Sequence, residues 1–148
     1  DYAAELAYLK EKVLAGADCI ITQMFFDCEV FDIFVKDCRR IGITVPIVPG
    51  IMMISNLGGF RRMASFCNSR IPQPLEDRLA AVEASVANAE SEEGTKELAD
   101  KVKQFGTEFG IEMCKTLTTM GTPGLHFYTL NQSAATMAIL QGLGYGGQ

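Results

Sequence analysis

Apolar positions recur along the chain with two alternating periods. Leu6, Leu9 and Val13 repeat at helical spacing, predicting a helix that stops at Gly16. Cys19 to Thr22 is a short apolar run rich in β-branched residues, the pattern of a buried parallel strand. Asp27 suits the cap of a second helix through Val30, Phe34, Cys38 and Ile41, which Gly42 ends. A second strand is expected from Ile43 to Val48, closed by Pro49 and Gly50. Ser55 or Asn56 can cap a third helix through Phe60, Met63, Ala64 and Cys67. Pro74 suits the first turn of a fourth, striped by Leu75, Leu79, Val82 and Val86. Ser91-Glu92-Glu93-Gly94 reads as a charged, flexible interruption. A long helix follows, with Leu98, Val102, Phe105, Phe109, Met113 and Leu117 on one face. A third strand from Leu125 to Thr129 and a helix around Ala134 to Leu143 complete the pattern.

Strands alternating with helices imply parallel strands joined by right-handed crossovers. No G-x-G-x-x-G turn follows a strand, which disfavours a doubly wound dinucleotide-binding sheet. A full (β/α)8 barrel needs eight strands and about 250 residues. The 148 residues with three expected strands therefore read as an open arc of one. The expected class is α/β, a partial (β/α)8 TIM barrel.

Composition narrows the function classes. Hydrophobic residues make up 48% and charged residues 21%, as in a folded globular chain. The net charge of −5, with no basic cluster beyond Arg39-Arg40 and Arg61-Arg62, argues against a nucleic-acid backbone as partner. No apolar run reaches the roughly 20 residues of a membrane helix, so no membrane partner is expected. Five cysteines without C-x-x-C spacing fit reduced thiols, and hence a cytoplasmic setting. One histidine makes a His-rich metal site improbable. The chain opens on Asp1 without a leader, so an upstream portion is expected and a secretory signal is not.

In a barrel, chemistry sits in the loops after the strands. Residues 23–27, 50–56 and 130–133 each combine amides or hydroxyls with apolar side chains, a mixture suited to a neutral heterocycle. Gln23 offers a donor and an acceptor together, fit for a pterin or carboxamide edge, although bonding to loop backbone is commoner for such a residue. Asn131 and Ser133 are good helix caps. His126 alternates with Leu125 and Phe127, as a core histidine would. Lys12 can meet a phosphate or simply be solvated, and Met63 reads as adaptable core filler. The absence of a G-x-S-x-G elbow speaks against an acyl-transfer triad.

Four ordered blocks carry a family resemblance: residues 15–27 (Ala15 through Thr22-Gln23-Met24-Phe25-Phe26-Asp27), residues 42–51, Arg70-Ile71-Pro72, and residues 124–131 (Gly124 through Tyr128-Thr129-Leu130-Asn131). Together they resemble the methylenetetrahydrofolate reductase family across nearly the whole chain. The resemblance implies a (β/α)8 barrel that holds FAD non-covalently. NAD(P)H reduces the flavin, which then converts 5,10-methylenetetrahydrofolate to 5-methyltetrahydrofolate in one-carbon metabolism and methionine biosynthesis. It implies that Gln23 meets the folate pterin and the nicotinamide in turn, and that Gly59, Met63 and Gln132 stand at folate contacts. It also implies that Glu5, Tyr8, Glu11 and Lys12 stand at flavin contacts.

The departures are specific. Gln132 replaces an arginine for the folate glutamate tail, Gly59 a polar contact, Met53 a proline, and Glu5 an aspartate, whereas Met63 keeps an apolar side chain where the family often has phenylalanine. Residues 87–95 form a longer surface segment than the family pattern. By the same resemblance this is the C-terminal portion of the catalytic barrel. The family's catalytic acid and most flavin contacts would lie in the N-terminal half, and the full-length protein would form a homo-oligomer. The other reading is a degenerate, non-catalytic paralogue acting as a partner chain.

Overall fold

A computed structural model of the chain describes residues 1–145. Its elements run α1 (Tyr2–Leu14), β1 (Ile20–Met24), α2 (Cys28–Arg40), β2 (Ile47–Met52), α3 (Leu57–Phe66), α4 (Gln73–Ala84), α5 (Glu92–Thr119), β3 (His126–Tyr128) and α6 (Ser133–Gly142). The strands lie side by side in the order β1-β2-β3, and both pairings are parallel. Three strands flanked by six helices make an α/β arc of a (β/α)8 barrel.

The core has two parts. Phe31, Cys38, Ile43, Ile47, Ile51 and Leu117 belong to one cluster, packing α2 and the end of α5 against the sheet. Met24, Phe26, Ile54, Phe60, Leu79 and Phe105 belong to the other, beneath the strand tips and between α3, α4 and α5. α5 is 28 residues long, about 42 Å, enough to serve both. It packs tightly on the loop after β2 at Gly106, where a β-carbon would lie 1.8 Å from the Ile54 carbonyl oxygen. That approach leaves glycine as the only residue that fits.

The expected second strand is displaced. β2 runs from Ile47 to Met52 and contains the Pro49-Gly50 pair that was expected to end it. Proline cannot donate to a ladder, but β3 pairs with β2 only from Gly50 onward, so Pro49 deprives no β3 carbonyl. The interruption expected at residues 91–94 is instead the start of α5. The Ser91 hydroxyl accepts from the Gly94 N–H at 3.0 Å, and Thr95 donates its hydroxyl to the Ala89 carbonyl at 3.0 Å. Acidic residues there suit a helix N-terminus. Neither Asn131 nor Ser133 caps α6. Leu130 and Asn131 have φ of 46° and 63°, and Gln132 occupies the cap position without a side-chain bond to the helix. Asp27 and Asn56 do cap α2 and α3, accepting from Glu29 at 2.9 Å and Gly59 at 2.6 Å.

Candidate functional site at the strand tips

The C-terminal ends of the three strands are joined by side chains as well as by the ladder. β1 carries a register shift between Ile21 and Met24. At this bulge the Gly50 N–H donates to the Thr22 hydroxyl at 3.0 Å, and that hydroxyl donates to the Gln23 carbonyl at 2.9 Å. The Thr22 carbonyl accepts instead from the Tyr128 hydroxyl at 2.9 Å, a bond that spans from β3 to β1 across β2. A β-carbon on Gly50 would lie 2.3 Å from the Thr22 carbonyl oxygen and 2.6 Å from the Tyr128 ring. Glycine at 50 is therefore what lets the tyrosine cross. Bulges commonly re-aim a side chain at a functional edge, and this one carries Gln23.

Gln23 is exposed, and its amide oxygen accepts from the Met24 N–H at 2.9 Å. The commoner reading of this residue, a bond to loop backbone, thus describes its oxygen. Its amide NH2 has no partner among the described side-chain bonds and is free to donate. His126 is half-buried and packs edge-to-face on Tyr128, with centroids 4.8 Å apart. It packs as its alternation with apolar neighbours suggests, but it is only partly buried and, among the described bonds, lacks the side-chain hydrogen bond expected of a core histidine.

Beside Tyr128 opens a cavity of about 400 Å³ between β2, α3 and the loop after β3. Gly59, Met63 and Gln132 all line it, so two positions one turn apart on α3 meet a third about seventy residues further along the chain. Gln23 is not part of that lining. Ser55 donates to the Gln132 amide oxygen at 2.5 Å, tying the loop after β2 to the loop after β3. The Gly59 N–H is taken by the Asn56 cap, whose amide oxygen would lie 2.7 Å from a β-carbon on residue 59. The cap and a side chain at that position compete for the same space.

Glu5, Tyr8 and Lys12 gather elsewhere, in a shallow concavity between α1 and Phe34 of α2; Glu11 does not line it. All four are exposed. The Lys12 ammonium stands 4.4 Å from the Tyr8 ring centroid and has no carboxylate partner among the described ion pairs. A cation held over a ring and otherwise unneutralised fits an anionic group such as a cofactor phosphate, whereas Glu5 and Glu11 fit hydroxyls.

Among the described residues, no cluster of His, Cys, Asp or Glu could hold a metal, and no helix is long and apolar enough to cross a membrane. Burial pushes the Cys28 and Cys114 thiols up to about 11, which keeps both protonated and unreactive at neutral pH.

Residues 1–144 match the sequence profile of the methylenetetrahydrofolate reductase family. The chain belongs to that family. It is 49% identical over 143 residues to methylenetetrahydrofolate reductase (NADH) 1 of Arabidopsis thaliana, covering 97% of this chain and 22% of the relative. It is 44% identical over 144 residues to a probable methylenetetrahydrofolate reductase (NADPH) of Caenorhabditis elegans, covering 97% of this chain and 20% of the relative. To 5,10-methylenetetrahydrofolate reductase of Escherichia coli it is 36% identical over 141 residues, covering 95% of this chain and 43% of the relative. The chain thus spans less than half the length of each reductase.

Sequence reasoning about this segment of the family missed the roles of Tyr128, Ser55, Arg62 and Phe66. Tyr128 had a visible signal, a hydroxyl two residues beyond His126 in the same strand. Ser55 falls within the expected 50–56 loop and is a cap candidate there, but nothing local ties it to Gln132. Arg62 and Phe66 carry no local pattern that sets them apart on a helix surface.

Proposed function

We propose that this chain forms the folate-facing wall of a flavin-dependent barrel. That barrel reduces 5,10-methylenetetrahydrofolate to 5-methyltetrahydrofolate with NAD(P)H. The observation that supports it most is the single cavity lined by Gly59, Met63 and Gln132 at the strand tips of a chain from this family. Thioether, aromatic and aliphatic walls there exclude water from a flat heterocycle or its aryl ring. The free amide NH2 of Gln23 donates at the neighbouring strand tip, held in place by the Thr22–Gly50–Tyr128 bonds. Lys12, Tyr8, Glu5 and Glu11 are the residues of this chain that would hold FAD, whose contribution is to carry the hydride from nicotinamide to folate.

In this reading the acid that protonates folate, and most of the flavin's contacts, lie in a preceding half of the barrel. These residues alone neither retain flavin nor turn over. Co-expressing the upstream half in trans tests this. Stoichiometric flavin absorbance and 5-methyltetrahydrofolate formation are expected only when both parts are present. Flavin retention and NAD(P)H oxidation by the isolated chain would overturn the division of labour. The departures at Gly59 and Gln132 favour a second reading, a non-catalytic paralogue that pairs with a partner chain. A reconstituted barrel that assembles but forms no methylfolate would establish it.

A further inference from the structure

Arg61 and Arg62 are neighbours in sequence with different surroundings. Arg61 bridges α3 to α4 through Glu76 at 3.3 Å and Glu83 at 3.0 Å. Arg62 makes no ion pair or side-chain hydrogen bond among the described residues, and it lines the strand-tip cavity. It is the only charged side chain in that lining among the described residues, in a chain whose net charge is −5. One turn further along α3, Phe66 lines the same cavity and is 86% exposed. Positions four apart on a helix share a face, so a cation and an unpartnered ring stand together on one rim. Across the cavity Gln132 is neutral and already engaged by Ser55. Met63, on the same helix, carries no ring.

We propose that Arg62 and Phe66 determine this cavity's specificity for an aromatic carboxylic acid, Phe66 packing on the ring and Arg62 pairing with the carboxylate. The pair supplies from α3 the charge and the flat surface that Gln132 and Met63 lack. The proposal rests on the folate reading given above and adds to it the residues that select the acidic end of the ligand.

The test measures equilibrium binding of 5-methyltetrahydrofolate and of its uncharged dimethyl ester to the longest natural chain containing residues 1–148, loaded with flavin. Arg62→Gln should weaken binding of the acid about fivefold to tenfold and leave the ester unchanged. Arg62→Lys should recover part of the loss, and added salt should weaken the parent protein but not Arg62→Gln. Phe66→Ala should weaken acid and ester alike, about threefold. Both side chains are exposed without partners, so the melting midpoint should not move. Equal affinities for parent and Arg62→Gln would overturn the proposal and leave the folate reading standing. Equal loss of acid and ester in Arg62→Gln would also overturn it. Failure of the parent protein to bind 5-methyltetrahydrofolate at all would remove the folate reading and this proposal with it.

Discussion

The strand-tip wall and the outer surface of α1 carry the two halves of the candidate site, and they are built in opposite ways. At the strand tips several polar groups are tied to other elements. Tyr128 reaches Thr22 across β2, Gly50 bonds the Thr22 side chain, and Ser55 holds Gln132. On α1 the candidate residues are exposed, and the one described side-chain contact among them is Lys12 over Tyr8. The difference teaches that this chain preorganises one ligand surface by itself and only presents the other. Preorganisation removes ordering cost at the moment of binding, whereas a presented surface needs further partners to become a site.

Substitution at the crossing point should separate the two regions most sharply. Gly50→Ala places a methyl group against the Thr22 carbonyl and the Tyr128 ring, neither of which can give way without moving a strand. A loss of about 3 kcal/mol is expected from chemical denaturation of the chain, with the bulge at Gln23 disturbed. A loss under about 0.5 kcal/mol would mean that the crossing holds nothing in place.

A gentler cut at the same place keeps the packing and removes one bond. Tyr128→Phe retains the ring over Gly50 and its contact with His126 but leaves the Thr22 carbonyl without its donor. About 1 kcal/mol of stability should be lost, since the carbonyl is only partly screened from solvent. A variant as stable as the parent would show that water replaces the hydroxyl and that the strand tips are less tied than the geometry indicates.

The parts of the fold legible in sequence are those where one period governs a whole element. The stripe from Leu98 to Leu117 and the cap at Asp27 needed only local spacing, which narrowed the cap of α3 to Ser55 or Asn56. Where tertiary contacts override local preference, the reading slipped. Pro49-Gly50 is turn chemistry by local rules, yet it lies inside β2 because β3 begins pairing only after the proline and a tyrosine needs the glycine's empty side. Ser91 and Gly94 looked like a break because glycine and serine usually are. A β-carbon on Gly94 would come within 2.3 Å of the Asn88 carbonyl oxygen, so glycine there permits a tight approach to α5 instead. Gly59, Met63 and Gln132 were assignable only by family resemblance: helical spacing puts Gly59 and Met63 on one face of α3, but no local rule brings Gln132 to it across a long crossover. Arg62 and Phe66 could be found only from the lining of the cavity itself.

The smallest expected effect lies on α1. Lys12→Gln removes a cation whose one described contact is the Tyr8 ring at 4.4 Å, an exposed pairing worth about 0.5 kcal/mol. Denaturation of the chain should therefore register almost no change, in contrast to Gly50→Ala. Flavin retention by the barrel reconstituted with its upstream half should still fall, because a neutral amide cannot pair with a phosphate as an ammonium does. The two readouts must diverge for the contrast to hold. A destabilisation above about 1 kcal/mol would mean that α1 depends on Lys12 for its own fold. Unchanged flavin retention would mean that the exposed cation meets no cofactor, and that the concavity beside Phe34 serves another purpose.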